Sequence, residues 1–232
     1  MTAKQLAKVL KSQGLPEPRT QILIKNVLYS LPMGLVSAGV CIGRKSNRHE
    51  CKLIVFHQPL YMPFECVAFW KIYYVRRNGY ERWPVNEDPQ SEASLELVRA
   101  IREKCLPIAS KGLSLEEILH ISELEIVGDP QKFSDHLEMV YSLCVLKRFE
   151  EARYQLNILV TKITPYLNFP DKFDKNVEWS EMRTRSSAHT IYRKTEPLRD
   201  AFASTNPEVA VAEYMESVLR KTKHHLGLTG IE

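Results

Sequence analysis

The chain has no long apolar segment. No stretch approaches the roughly 20 consecutive apolar residues that a membrane-spanning helix needs, so no membrane partner is expected. The first segment, MTAKQLAKVLKSQG, also lacks the uninterrupted apolar block of a secretory signal, because Lys4, Lys8 and Lys11 interrupt it. Together these absences predict a cytoplasmic protein.

Cysteine is sparse, and its spacing suggests no pairing. The five cysteines are an odd number with no CxxC pair, so neither a disulfide framework nor a redox motif is indicated. His49 and His57 lie near the first three cysteines, but the spacing matches no zinc finger, and strand alternation would put some of these side chains on opposite faces. We therefore predict no metal site and no cofactor. The cysteines are Cys41, Cys51, Cys66, Cys105 and Cys144.

Common catalytic motifs are missing as well. The chain contains no GxSxG, HExxH, Walker or GxGxxG sequence, which removes the usual signals of several large enzyme classes. His136 and Glu138 are two residues apart in a helical pattern, which points their side chains in different directions. We expect a protein that is not an enzyme. A catalytic site assembled from distant residues stays open as an alternative, since such sites leave no local motif.

What the chain does contain is a strand-rich first part followed by helices. Alternating apolar residues predict strands over 36–42 and 53–57, joined by the polar connection RKSNR. The run 65–77 is apolar on both faces up to Lys71 and predicts a central strand, whereas 19–31 is ambiguous between helix and strand. The fold class is therefore α+β: a small N-terminal antiparallel sheet with flanking helices, then a mainly helical C-terminal half.

Helix boundaries follow from capping residues and prolines. We predict an α+β domain over 1–125 and a helical region over 126–232, or one continuous domain, with 168–179 as a linker. Phe133 to Ile163 predicts an antiparallel helical hairpin, and Pro107 and Pro197 are expected to end or kink their helices. The expected helix starts are Thr2, Asp88 with Pro89, Ser114 with Glu117, Asp129 with Pro130, Ser180, and Asn206 with Pro207.

Charge is distributed unevenly along the chain. Residues 1–112 carry 17 Lys and Arg against nine Asp and Glu, whereas residues 113–232 carry 15 against 19. Within the second part, residues 113–151 hold three basic residues against nine acidic ones. Such asymmetry steers charged partners and sets association rates, so it indicates where a partner would bind.

Two charged surfaces are candidates for partner binding. We favour the acidic one, which consists of Glu116, Glu117, Glu123, Glu125 and Asp135. The alternative is a basic surface made of Arg44, Lys45, Arg48, Arg76, Arg77 and Arg82.

The order of elements carries a resemblance to a known group of proteins. A lone helix, a basic strand hairpin, the segment GYERWPVNED and a helix ending REKCLPIASKGLSLEEIL follow one another within residues 1–125. This layout, with its LP-x-x-x-x-G-L-S-x-E-E turn, resembles uncharacterised bacterial α+β domains, some of which are immunity proteins for polymorphic toxins. The resemblance implies a protein that binds and occludes a cognate toxin, and it carries over no catalytic residue.

A nucleic-acid-binding protein is the first alternative. Aromatic residues from Trp70 to Trp83 are interleaved with arginines, and such rings stack on unpaired bases while arginine neutralises phosphate. The acidic segment 113–151 would repel a polyanion that extended across it. We therefore expect a protein partner, and consider nucleic acid the weaker prediction.

Overall fold

The computed structural model describes residues 2–44, 49–63, 70–129, 131–168 and 179–231. It confirms the α+β class: an antiparallel sheet occupies the N-terminal part and helices fill the C-terminal half. The chain divides into two compact units. The first comprises Met1–Leu60, Phe64–Leu113 and Lys223–Glu232, and the second comprises Tyr61–Pro63 and Ser114–Thr222. The boundary expected between residues 125 and 126 falls inside a helix, whereas the chain passes between the units at Leu113 and Ser114.

The first unit opens with a helix and continues into the sheet. Thr2 caps the first helix, as the sequence predicts, and Gln5 caps Thr2 in return. The ambiguous run 19–31 is a hairpin of two strands, whose turn includes Lys25 in the left-handed region (φ 56°). The elements are α1 (Ala3–Ser12), β1 (Gln21–Ile24), β2 (Val27–Ser30), β3 (Val36–Arg44), β4 (Glu50–Pro59), β5 (Trp70–Val75) and β6 (Trp83–Pro84). The strands pair in the order β1-β2-β3-β4-β5, and β6 pairs with β4.

One face of this sheet forms a hydrophobic core with the helices of the same unit. Strand residues such as Leu28, Val40 and Val55 are fully buried there, beside Leu10 of α1 and Ile101. Burial of such side chains contributes roughly 1.5–3 kcal/mol each. The predicted hairpin of β3 and β4 is confirmed, with Val40 opposite Val55 in the register.

The prediction that 65–77 contains a central strand is wrong. β5 lies at an edge of the sheet and, among the described residues, pairs as a strand only with β4. Aromatic and β-branched residues on both faces suit a half-exposed edge as well as a buried centre. Strand order depends on long-range pairing, which local alternation does not encode.

The helix after the sheet starts later and extends further than predicted. Ser91, not Asp88, caps α2 (Glu92–Ala100) and accepts a hydrogen bond from the Ser94 N–H, because the Asp88 carboxylate accepts from the N–H of Gln90 in the preceding turn. Pro107 does not end the helix. A π-helical turn (Ile101–Cys105) widens the backbone beside this proline, and α3 (Leu106–Lys111) follows directly.

The second unit is built from helices. They are α4 (Leu115–Gly128), α5 (Phe133–Val145), α6 (Phe149–Leu167), α7 (Trp179–Phe202) and α8 (Pro207–Leu226), the last of which ends within the first unit. α5 packs against α4 and α6, which confirms the predicted helical hairpin, and α6 packs against α7. No described helix has both the length and the apolar character needed to cross a membrane.

Two predicted starts of helices in this unit are wrong, and Pro197 does not end its helix. Asp129 closes α4, and its carboxylate accepts from the Gln131 N–H, so α5 begins only at Phe133; Pro130 lies outside the described residues. Ser180 lies inside α7, which also continues through Pro197. The Tyr141 hydroxyl donates to the carbonyl of Lys194, in the turn before this proline (3.1 Å). The predicted linker 168–179 lies almost wholly outside the described residues.

Candidate protein-binding surface on helix α4

Helix α4 carries four of the five acidic residues singled out in the sequence, and its start is well defined. The Ser114 hydroxyl accepts from the Glu117 N–H (3.1 Å), and the Glu117 carboxylate accepts from the Ser114 N–H (2.8 Å). This predicted capping box is confirmed. Glu117 therefore has a structural task, and negative charge at a helix N-terminus also interacts favourably with the helix dipole.

The inward face of α4 is small and is held by both packing and hydrogen bonds. Ile118, Leu119 and Ser122 are its buried residues. The Ser122 hydroxyl lies 3.0 Å from the Ile118 carbonyl and 3.3 Å from a carboxylate oxygen of Glu138 on α5. These contacts fix the rotation of α4 about its axis, and therefore fix which residues face solvent.

The outward face of α4 combines acidic and apolar side chains. Glu116, His120, Glu123 and Val127 follow one another at spacings of four, three and four residues, which places them on one stripe of the helix. All four are exposed, and Val127 retains 82% of its accessible surface. Leu124 lies beside this stripe and retains 58%. We call these five residues the α4 outward face.

Exposure of this kind is unusual for a helix that merely covers a core. Scattered exposed apolar residues are ordinary, but here two large aliphatic side chains adjoin each other and are bordered by carboxylates. No Lys or Arg occurs anywhere on α4. The α4 outward face is therefore an apolar centre with an acidic border, as in many protein interfaces.

The predicted acidic residues are brought together only in part. Glu116 and Glu123 lie on the α4 outward face, whereas Glu125 is half-buried and forms an ion pair with Lys132. The hydrogen bond from Lys132 to the Glu125 carboxylate raises the pKa of Lys132, and the nearby charge of Asp135 on α5 adds to the effect. Sequence reasoning treated the acids as one patch, but capping and ion pairing occupy Glu117 and Glu125.

Sequence reasoning missed the apolar residues of this surface. A helix turns about 100° per residue, so Val127, nine positions after buried Ile118, lies on the opposite side of α4. Leu124 is likewise displaced from the buried stripe. The sequence alone shows that these two apolar residues lie outside the buried stripe of α4, and this position would have identified both of them.

The alternative basic surface is largely neutralised where the structure describes it. Arg77 Nε lies 2.7 Å from Glu96 Oε1, and Arg82 Nη1 lies 3.9 Å from Glu50 Oε2. Arg76 approaches Glu81 at 4.0 Å. Arg44 ends β3, while Lys45 and Arg48 lie outside the described residues. Because Arg76, Arg77 and Arg82 each have a carboxylate within reach, these three arginines present less positive charge to a polyanion than their number suggests.

The two cysteine side chains of the β3–β4 hairpin do not converge. Cys41 lies opposite Ile54 in the register, whereas Cys51 is an odd number of positions away from Ile54 on β4, so the two thiols are on opposite faces of the sheet. Burial raises the pKa of Cys51 to about 12 and that of Cys41 to about 11. Among the described residues, no group of three or more metal-ligating side chains is close enough to hold an ion. Cys66 lies outside them.

His136 and Glu138 contact different helices, as their spacing predicts. His136 Nε2 lies 3.1 Å from Gln155 Oε1 on α6, while Glu138 approaches Ser122 on α4. Both side chains are buried. They therefore support packing in the second unit and do not form an acid–base pair with each other.

An open cleft between α6 and α7 is a candidate active site under the alternative that the protein is an enzyme. Its lining includes the arginines 153 and 199 and the carboxylates Glu196 and Asp200, so opposite charges are balanced. Such a lining does not select for ions of one sign.

Comparison of the chain with protein-family models, curated proteins and solved structures finds no match.

Proposed function

We propose that this chain is a protein-binding module that docks a basic protein on the α4 outward face. One observation carries the proposal: Val127 and Leu124 are neighbouring exposed aliphatic residues on a helix that carries four glutamates and no Lys or Arg. Tight interfaces combine a desolvated apolar centre with a polar rim. A partner with an apolar patch ringed by Lys or Arg complements this surface in both respects.

The two parts of the surface have different physical roles. Burying an exposed Leu or Val side chain contributes roughly 1.5–3 kcal/mol, which would act mainly on how slowly the complex dissociates. Rim carboxylates act mainly on the association rate, and their effect is screened by salt. The nine acidic residues of 113–151, against three basic ones, extend the negative potential beyond the rim itself.

The finer proposal is that the partner is a bacterial toxin and that this protein is its immunity protein. The LP-x-x-x-x-G-L-S-x-E-E turn that carries the resemblance includes the capping box of α4, so it directly positions the α4 outward face. An inhibitor that occludes a toxin needs a stable surface and no chemistry of its own. Toxins that act on nucleic acid are basic where they meet phosphate, which fits an acidic inhibitor.

The test uses the product of the neighbouring reading frame as the candidate partner. Association and dissociation rates are measured for the full chain at low and high salt. Glu116→Lys with Glu123→Lys should slow association by at least about tenfold at low salt and much less at high salt. Val127→Ser with Leu124→Ser should instead speed dissociation.

The double variant Glu208→Lys with Glu213→Lys provides the matched control, because both are exposed acidic residues of α8 and the number of charge reversals is the same. It changes the net charge in the same direction and should have only a small effect on either rate. Unchanged rates for both pairs of α4 substitutions would contradict the proposal. Protection of cells from the partner's toxicity by the parent chain, and its loss with the α4 substitutions, would support the immunity assignment specifically.

A further inference from the structure

The edge strand β5 presents large side chains to solvent. Ile72, Tyr73 and Tyr74 are 38%, 49% and 40% exposed. Within the described residues, β5 forms a strand ladder with β4 alone. Edge strands with exposed backbone groups invite pairing with another chain, and native proteins usually blunt them with proline, charge or a bulge.

The stretch 72–75 has none of these protective features. It contains no proline and no charged residue, and its pairing with β4 runs in regular register from Leu53↔Val75 to Phe56↔Ile72. The register with β4 shifts immediately before this stretch, where Phe56 pairs with Ile72 and His57 with Trp70, so that Lys71 is skipped. Residues 72–74 are therefore a regular, uncharged edge, whereas the Val75 carbonyl accepts from the Trp83 indole N–H (2.8 Å).

The orientation of Tyr74 is supported from within the unit. Lys52 Nζ lies over the Tyr74 ring, 4.8 Å from its centroid, and Lys52 is itself paired with Glu81 at 2.8 Å. On the other face of the sheet, Tyr73 contacts His57 edge-on, with ring centroids 6.5 Å apart. Both tyrosines thus have defined neighbours although a large part of each ring is exposed.

The sequence of β5 is complementary to itself when two copies run antiparallel about Tyr73. In that register each copy places its Ile72 opposite Tyr74 of the other copy. The two copies of Tyr73 lie opposite each other. Aromatic pairs and aromatic–β-branched pairs are among the favourable cross-strand contacts. Residues 72–74, over which the register with β4 is regular, bring no charged residues opposite each other in this arrangement.

A neighbouring register is less favourable. Centring the pair on Tyr74 would place Arg76 of one copy opposite Ile72 of the other and would remove the Tyr73 pair, so fewer favourable cross-strand contacts would form within residues 72–74. Side-chain type therefore selects the register centred on Tyr73.

We infer that the edge of β5 is a self-association surface, through which two copies of the chain form a two-fold symmetric dimer with a sheet continuous across both. A two-fold axis at Tyr73 makes the contact isologous, so the pairing closes and does not propagate into fibres. The inference is independent of the proposed function, because the α4 outward face and β5 belong to different units.

The first test is the mass of the full chain in solution over a range of concentrations. Sedimentation equilibrium should show a dimer of twice the 26.8 kDa chain mass at high concentration. Tyr73→Lys sets two positive charges against each other at the axis and should raise the dimer dissociation constant by at least about tenfold. Tyr154→Lys, on exposed Tyr154 of α6, makes the same change away from β5 and should leave the constant unchanged.

The second test checks the register through cysteine cross-linking. Tyr73→Cys should form an intermolecular disulfide on mild oxidation, because directly opposite residues of antiparallel strands are close enough to bridge. Tyr74→Cys should cross-link much less, since its equivalents would be diagonal neighbours about 7–8 Å apart.

Three outcomes of these two tests would overturn the inference. They are a single-chain mass at every concentration, a dimer that Tyr73→Lys does not weaken, and preferential cross-linking through Tyr74→Cys. An extended segment of another protein bound at this edge, in place of a second copy, would also overturn it.

Discussion

Protonation of buried His136 should destabilise the protein in mildly acidic solution. This side chain is 2% exposed and lies against Gln155. Burial lowers the pKa of His136 to about 4, against about 6.5 in an unfolded chain. Between about pH 6.5 and pH 4, His136 is therefore protonated in the unfolded state but neutral in the folded state. The contribution of His136 to the free energy of unfolding is complete above about pH 6.5 and is lost as the pH falls towards 4.

The size of the effect follows from the two pKa values. A difference of about 2.5 pKa units corresponds to about 3.4 kcal/mol at full protonation, and about 2.5 kcal/mol of this is lost between pH 7.5 and pH 4.5. Carboxylates also titrate in this interval, so the pH dependence of the parent protein alone is not diagnostic. The informative quantity is the difference between the parent and His136→Gln, which has no titrating ring.

The assay is urea unfolding of both proteins at pH 7.5 and pH 4.5. The variant should lose about 2.5 kcal/mol less of its free energy of unfolding than the parent does between these pH values. His120→Gln, at an exposed position of α4, removes a histidine without removing a buried one and should follow the parent. Parallel pH dependences for the parent and His136→Gln would refute the reasoning.

Two further predictions concern the first unit. Gly39→Ala should lower the free energy of unfolding by about 1–3 kcal/mol or more, measured by denaturant unfolding, because its Cβ would lie 2.4 Å from the Leu28 carbonyl oxygen. Gly43→Ala is the control on the same strand, where the nearest atom would be at an ordinary 3.6 Å; equal losses for the two variants would contradict this account. Thiol reagents should modify the buried cysteines 41, 51, 105 and 144 only slowly in the native protein at pH 8, since burial raises the pKa of each thiol to about 11 or 12. All five thiols should react after unfolding. Rapid modification of these four cysteines in the native protein would show that they are accessible.

Features set by neighbouring residues could be predicted from the sequence. The helix caps at Thr2 and Ser114 and the β3–β4 hairpin all depend on residues that are close along the chain. Their energetics are local, so composition and spacing are sufficient. The same holds for the α+β class, which follows from the change of periodicity along the chain.

Features set by distant residues could not be predicted. β5 has the composition of a buried strand, but its place at the edge of the sheet depends on which other strands pair with β4. Pro197 does not end α7, where a hydroxyl from α5 reaches the backbone one turn earlier. The pairing of Arg77 with Glu96 likewise joins a residue after β5 to α2. These contacts form only in the folded chain.

The interleaved composition of the two units has a consequence for synthesis. The first unit includes Lys223–Glu232, in which Leu226 and Leu228 are buried, although the rest of this unit ends at Leu113. On the ribosome, the sheet and its flanking helices emerge more than a hundred residues before the segment that completes them. Until that segment arrives, the apolar sites that it fills stay open to water or to chaperones, and folding of this unit can finish only after translation of residues 223–232.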